Sequence, residues 1–241
     1  MSSTSDVIQA ASSPFDLYDF FSMLLPGATL LIGLLPFLPQ KFPIGAIGSA
    51  LILLIGGYVV GRALHSAAES LDRIFSEPSH RDVFVSALQS NSPEILNSET
   101  RDAFYDRATE EFDIGLADDR TKASNDALSA LYVHVRAILY RGNRTRSQTF
   151  QAVFAFYRSI HLATQIIVVC YAAYGIGKVM DLFGGIGSFT TYIGSLGLPP
   201  NLFLLGSEIV LGLSLLTFKD AKGDYREYFI QYLFVDYLTA K

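Results

Sequence analysis

Four stretches of this 241-residue chain are almost free of charge over the length needed to cross a lipid bilayer. Residues 20–38, FFSMLLPGATLLIGLLPFL, hold no charged side chain, and residues 44–64 meet their first charge only at Arg62. Residues 159–177 and 201–218 repeat the pattern, the last interrupted by Glu208 alone. A hydrocarbon core of ~30 Å requires about 20 residues of helix at ~1.5 Å per residue. A soluble core would instead spread its apolar residues along the chain in periodic faces. The blocks predict an all-α integral membrane protein with four transmembrane helices in two hairpins and a small helical cytoplasmic domain inserted between helices 2 and 3. The expected divisions are an interfacial N-terminal segment with hairpin 1 (1–64), the helical domain (65–158), hairpin 2 (159–218) and an aromatic amphipathic tail (219–241).

The first block does not have the flanks of a cleaved signal, because residues 1–19 carry no Lys or Arg and three acids, Asp6, Asp16 and Asp19. Orientation follows from basic-residue asymmetry. With four spans, only Lys41 and Lys178 of the 18 basic residues fall in the hairpin loops. Arg62, Arg73, Arg141, Arg144, Arg146, Arg158, Lys219, Lys222 and Arg226 cluster near span ends on the opposite side. That side is expected to be cytoplasmic, with both termini on it, in a multi-pass protein of the cell inner membrane. The single cysteine, Cys170, lies within a span and excludes a disulfide framework.

The segment between the second and third blocks shows helical patterning. Leu64, Ala67, Ala68, Leu71, Ile74 and Phe75 recur at helix spacing, so the second span is expected to continue beyond the membrane until Pro78. HRDVFVSALQS gives a short amphipathic turn, Asn97 or Ser98 caps a further helix, and residues 125–141 place Leu128, Leu131, Val135 and Ile138 on one stripe. Such a domain is too small to bury much core alone, which points to packing between subunits.

No enzyme emerges. His65, His80, His134 and His161 have no metal-ligand spacing, and neither a phosphate loop nor a nucleophile elbow is present. No cofactor is expected. What stands out is RAILYRGNRTR, where Arg136, Arg141, Arg144 and Arg146 alternate with Tyr140 and Asn143 in an otherwise acidic segment. Guanidinium forks bind phosphates bidentately, and tyrosine and guanidinium planes stack on bases. The competing reading is that juxtamembrane arginines set topology and hold anionic lipid.

Within the spans, Gly57 and Gly61 form a GxxxG pair suited to close helix packing. Thr164, Tyr171, Tyr174 and Lys178 lie on one face of the third span, a polar stripe that must meet protein or water. Glu208 sits in the fourth block, where it either lines a pore or pairs with Lys178. The Gly/Ser/Thr-rich stretch GGIGSFTTYIGSLGLPP is an outer loop or a re-entrant segment. The aromatic tail YREYFIQYLFVDYL lies at a headgroup surface or packs on the inserted domain.

The Phe/Tyr/Asp-rich approach FDLYDFFSMLLPG to a first span, the four blocks and the helical insertion together resemble the transmembrane effectors of Hailong-type prokaryotic anti-phage defence systems. The resemblance implies a homo-oligomeric ion channel, a tetramer by analogy, whose cytoplasmic crown binds single-stranded DNA made by a partner nucleotidyltransferase, the bound oligonucleotide holding the channel shut. It implies that the 136–146 arginines lie in or beside that crown, and that the output is membrane depolarisation and cell death. The alternative function is a non-conducting membrane anchor or scaffold for a partner enzyme.

Overall fold

A computed structural model describes residues 20–37, 46–90, 95–141, 146–179 and 200–240. Among them every regular element is helical. In chain order these are α1 (Leu25–Leu34), α2 (Ala46–Leu51), α3 (Gly57–Ile74), α4 (His80–Gln89), α5 (Ser98–Glu111), α6 (Asn125–Arg141), α7 (Arg146–Val179) and α8 (Pro200–Thr239). Wider π-helical turns, Phe20–Leu24 and Ile52–Gly56, lead into α1 and α3.

Three helices are long and apolar enough to cross a membrane: Ile47–Ile74, Arg146–Gly177 and Leu202–Thr239. The first apolar block forms a shorter helix, Ser22–Phe37, which ends in a 3-10 turn at Leu35–Phe37.

The chain divides into two compact units, one of residues 1–70 with 155–221 and the other of residues 71–154 with 222–241. The apolar unit is inverted relative to a soluble protein. Leu51, Ile52, Leu54, Ile55 and Val59 are exposed, as are Leu202, Leu205, Ile209, Val210, Leu213 and Leu216 of α8. So much contiguous outward apolar surface requires lipid or another protein chain against it. Only 6% of α8's apolar window is buried within the chain against 44% in α7, which makes α7 the central helix of the unit.

The contact between α1 and α3 rests on glycine. A Cβ at Gly61 would fall on the Met23 carbonyl oxygen, and one at Gly27 on the Gly57 carbonyl oxygen. The two backbones touch where the GxxxG pair leaves room, the usual device where no water drives helices together.

The polar unit has a conventional core. Phe84 and Leu88 of α4, Phe104 and Ala108 of α5, and Leu128, Leu131 and Val135 of α6 close around the end of α8. That end supplies Phe229, Ile230, Leu233, Phe234 and Tyr237, so the tail's aromatic face is core rather than a surface left for headgroups. Phe234 stacks on Phe84 with ring centroids 4.9 Å apart and lies 4.3 Å from Phe104.

Arginines secure the helix ends. Arg101, 1% exposed, donates to the Ser90 and Leu96 carbonyls, and Arg120 donates to those of Leu88 at 2.6 Å and Ser90 at 3.1 Å. Both thereby place positive charge at the negative end of α4. Arg107 does the same for α8, donating to Tyr237 O at 2.8 Å, Leu238 O at 2.9 Å and Ala240 O at 2.9 Å.

Local signals match these boundaries. Asn97 accepts from Thr100 N at 2.8 Å to start α5. Ser79 and Asp82 form a reciprocal capping box that starts α4. At the end of α3, Ser76 takes a left-handed φ of 54°, while Glu77 N donates to Asp72 O at 2.9 Å and Ser76 N to Arg73 O at 3.3 Å. These two bonds make a Schellman turn, closed ahead of Pro78. Lys222, nearly buried, holds this corner to α8 through Glu77 at 2.6 Å and Asp72 at 3.2 Å.

Candidate functional site

On α6, Tyr132, Arg136 and Tyr140 occupy successive turns of one face. The Arg136 guanidinium lies over both rings, 5.4 Å from the Tyr132 centroid and 5.0 Å from that of Tyr140. Its Nη atoms donate to the two hydroxyls at 3.3 and 3.1 Å, and the Tyr140 hydroxyl in turn donates to Gln151 on α7. Burial pushes the Tyr132 phenol above its ordinary range, so it stays a neutral acceptor for the guanidinium. Arg136 is therefore held by tyrosines and orients Tyr140, a residue that remains 42% exposed.

Arg141 closes α6 and Arg146 opens α7, and both side chains are exposed. No ion pair involves either among the described residues, whereas most other arginines of the polar unit are engaged. Arg101, Arg107 and Arg120 hold helix ends, Arg136 lies between tyrosines, and Arg226 contacts Glu77 at 3.6 Å and the Pro78 carbonyl at 3.1 Å. Uncommitted positive charge among the described residues is thus concentrated at the end of α6, at the start of α7 and at exposed Arg81. Asn143 and Arg144 lie outside the described residues. The first turns of α7 are fixed to the end of α8: Ser147 N donates to Asp236 at 2.8 Å, and Phe150 stacks on Tyr232 at 4.5 Å.

Sequence reasoning missed a polar groove between α4 and α6, with a volume of about 710 Å³. Arg81, Asp82, Ser86, Gln89, Asn125, Asp126 and Ser129 line it. One base against two acids makes it unsuited to phosphate, and hydrogen bonds from the Ser79 hydroxyl and backbone hold the Asp82 carboxyl below its usual range, keeping it charged. The Gln89 amide is engaged with Ala123 O at 3.1 Å and Asn125 at 2.9 Å. Its sequence signal was only the S-x-x-D of the capping box, which indicates a helix start and not a groove.

In the apolar unit, the stripe read from sequence on the third span turns towards α1. The Tyr171 hydroxyl donates to Gly33 O at 3.0 Å, and Phe37 meets Tyr171 and Tyr174 edge-on at 5.3 and 5.8 Å. Thr164 is buried and donates back to Ile160 O at 2.8 Å. These three residues are brought together, and what they meet within the chain is protein. Glu208 lies on α8, half-exposed, near enough to Tyr171 for its charge to act on that ring, with one carboxylate oxygen buried and without a hydrogen-bond partner among the described residues. The side chain of Lys178 lies outside the described residues. No group of metal-ligating side chains is found among the described residues.

Compared with known protein families, curated proteins and solved structures, the chain matches none.

Proposed function

We propose that the chain is one subunit of a homo-oligomeric, four-span ion channel of the cell inner membrane, an anti-phage effector gated by a nucleotide or single-stranded oligonucleotide on its cytoplasmic side. One observation carries this reading: α7 begins at Arg146 and continues as a single 34-residue helix to Val179. An anion bound at the α6–α7 turn therefore acts on the first residue of the helix that is also the central span. Two exposed arginines, an exposed tyrosine positioned by Arg136 and a start of α7 braced by Asp236 suit a phosphate with a stacked base.

A ligand shifts the gate only by its difference in affinity for the two states, about 1.4 kcal/mol for each tenfold. Ligand spanning turns of neighbouring subunits provides such a difference when the subunits separate on opening. By the resemblance to Hailong-type effectors, the bound oligonucleotide, made by a partner nucleotidyltransferase, holds the channel shut, and its loss depolarises the cell.

The test is the Arg141→Ala, Arg144→Ala, Arg146→Ala triple variant, assayed for oligonucleotide binding, for current in reconstituted bilayers and for toxicity on expression. Binding is expected to fall at least tenfold, with current no longer dependent on ligand. Unchanged binding removes the ligand site. Wild-type protein that binds ligand yet passes no current is a membrane scaffold instead.

A further inference from the structure

The polar stripe most evident in the sequence is covered at Tyr171 and Tyr174 by α1 and the turn that ends it. A second stripe on the same helix is not. His161, Gln165, Val169, Ala172 and Ile176 follow one another at intervals of four, four, three and four residues, which aligns them along one face of α7. Gln165 is exposed, Val169 is 65% exposed and Ile176 60% exposed. The His161 and Gln165 side chains meet at 3.0 Å.

No other partner for the Gln165 amide is found among the described residues. It lies seven residues, about 10 Å, past Arg158, the last charge before the span. An amide with free donor and acceptor groups at that depth is unfavourable against acyl chains, by several kcal/mol where nothing can hydrogen-bond it. It requires water or protein beyond the described residues. Beyond it the same face becomes apolar, so one line of side chains passes from hydrogen-bonding to hydrophobic towards the Lys178 end of the span.

We propose that this His161–Gln165–Val169–Ile176 face lines the permeation path, with a hydrated vestibule at His161 and Gln165 and a dewetting constriction at Val169 and Ile176. The inference rests on the channel reading above and assigns the pore to a face of α7 that sequence inspection passes over. Hydrated imidazole and amide groups lower the barrier to an ion entering from the Arg158 end. A ring of Val169 and Ile176 side chains blocks flow until it widens, as hydrophobic gates do.

The experiment is cysteine substitution in the full-length protein, in a Cys170→Ser background, at Gln165, Val169 and, as the inward-facing comparison, Thr164. Membrane-inserted amounts are matched by immunoblot, and a charged, water-soluble thiosulfonate is applied during bilayer recording. Modification of Gln165→Cys and Val169→Cys is expected to change current at least fivefold, with Thr164→Cys unmodified, and Val169→Ser is expected to leak without gating. Disulfide cross-linking of Gln165→Cys between subunits, with no effect of the reagent on current, makes this face a helix contact and overturns the pore assignment. Absence of current from the Cys170→Ser background and wild type alike overturns the channel reading itself, a result separable from labelling that misses only this face.

Discussion

Replacing Phe234 by alanine tests whether the end of α8 is a structural member of the polar unit. The ring is fully buried, stacked on Phe84 at 4.9 Å and tilted against Phe104 at 4.3 Å. Removing a buried phenylalanine destabilises by about 3–5 kcal/mol, from lost transfer energy and the cavity left behind. At the lower figure the opening equilibrium of the unit rises about a hundredfold, since each 1.4 kcal/mol is a factor of ten. A domain of ordinary stability, about 5–15 kcal/mol, remains folded after such a loss, so the change is measurable without denaturation. The assay is amide hydrogen exchange of the full-length protein in detergent, following peptides of α4, α5 and residues 224–239. Exchange in all three is expected to accelerate together, because they share one core. Val235→Ala, at the neighbouring position where the side chain is 41% exposed, is expected to move exchange by less than threefold, surface changes being within about 0.5 kcal/mol. Equal acceleration by both variants, or none by Phe234→Ala, refutes the placement of the tail in the core.

Gly61→Ala places a methyl group on the Met23 carbonyl oxygen and is expected to lower the thermal midpoint in micelles, at a cost of about 1–3 kcal/mol. Gly212→Ala, whose added Cβ meets nothing within 4 Å, is expected to be neutral or stabilising. Ser76→Gly relieves a left-handed residue at the Schellman turn and is expected to raise stability by about 0.5 kcal/mol, after the extra freedom of glycine in the unfolded chain is offset. Asp82 has a carboxyl pKa lowered by Ser79, so its stabilisation is complete above the unfolded value near 3.9 and disappears as pH falls through the folded value below it. Asp82→Asn is therefore expected to cost about 1 kcal/mol at pH 7, read by thermal melts, and nothing once pH is below both values.

How much of this was legible differs between the units. The helices between residues 57 and 141 were readable because their signals are local: Asn97 caps its own helix, Pro78 ends one, and Leu128, Leu131 and Val135 repeat at the period of the turn they occupy. The destination of the tail was not. Tyr225 to Tyr237 read equally well as an interfacial helix and as a core helix, because amphipathicity specifies that a face is covered and not by what. The decision comes from Phe84 and Phe104, more than a hundred residues away in sequence, and from Arg107, which gathers the last carbonyls of α8.

The candidate site shows the same limit in electrostatic form. Composition marks RAILYRGNRTR as a basic cluster, yet charge in sequence is not charge available to a ligand. Arg136 sits at the heart of that cluster and is enclosed by Tyr132 and Tyr140, while Arg141 and Arg146 remain exposed at the ends of their helices. On α7, hydroxyls at Thr164 and Tyr171 drew attention because they are polar, and the backbone absorbs both, at Ile160 O and Gly33 O. A hydroxyl can satisfy itself on a helix carbonyl, whereas a primary amide has three further hydrogen-bonding groups to place once one contact is made. Gln165 thus says more about what lies beyond the described residues than the tyrosine stripe does. In a membrane helix, the side chain hardest to satisfy from within is the better indicator of where water or a neighbouring subunit must be.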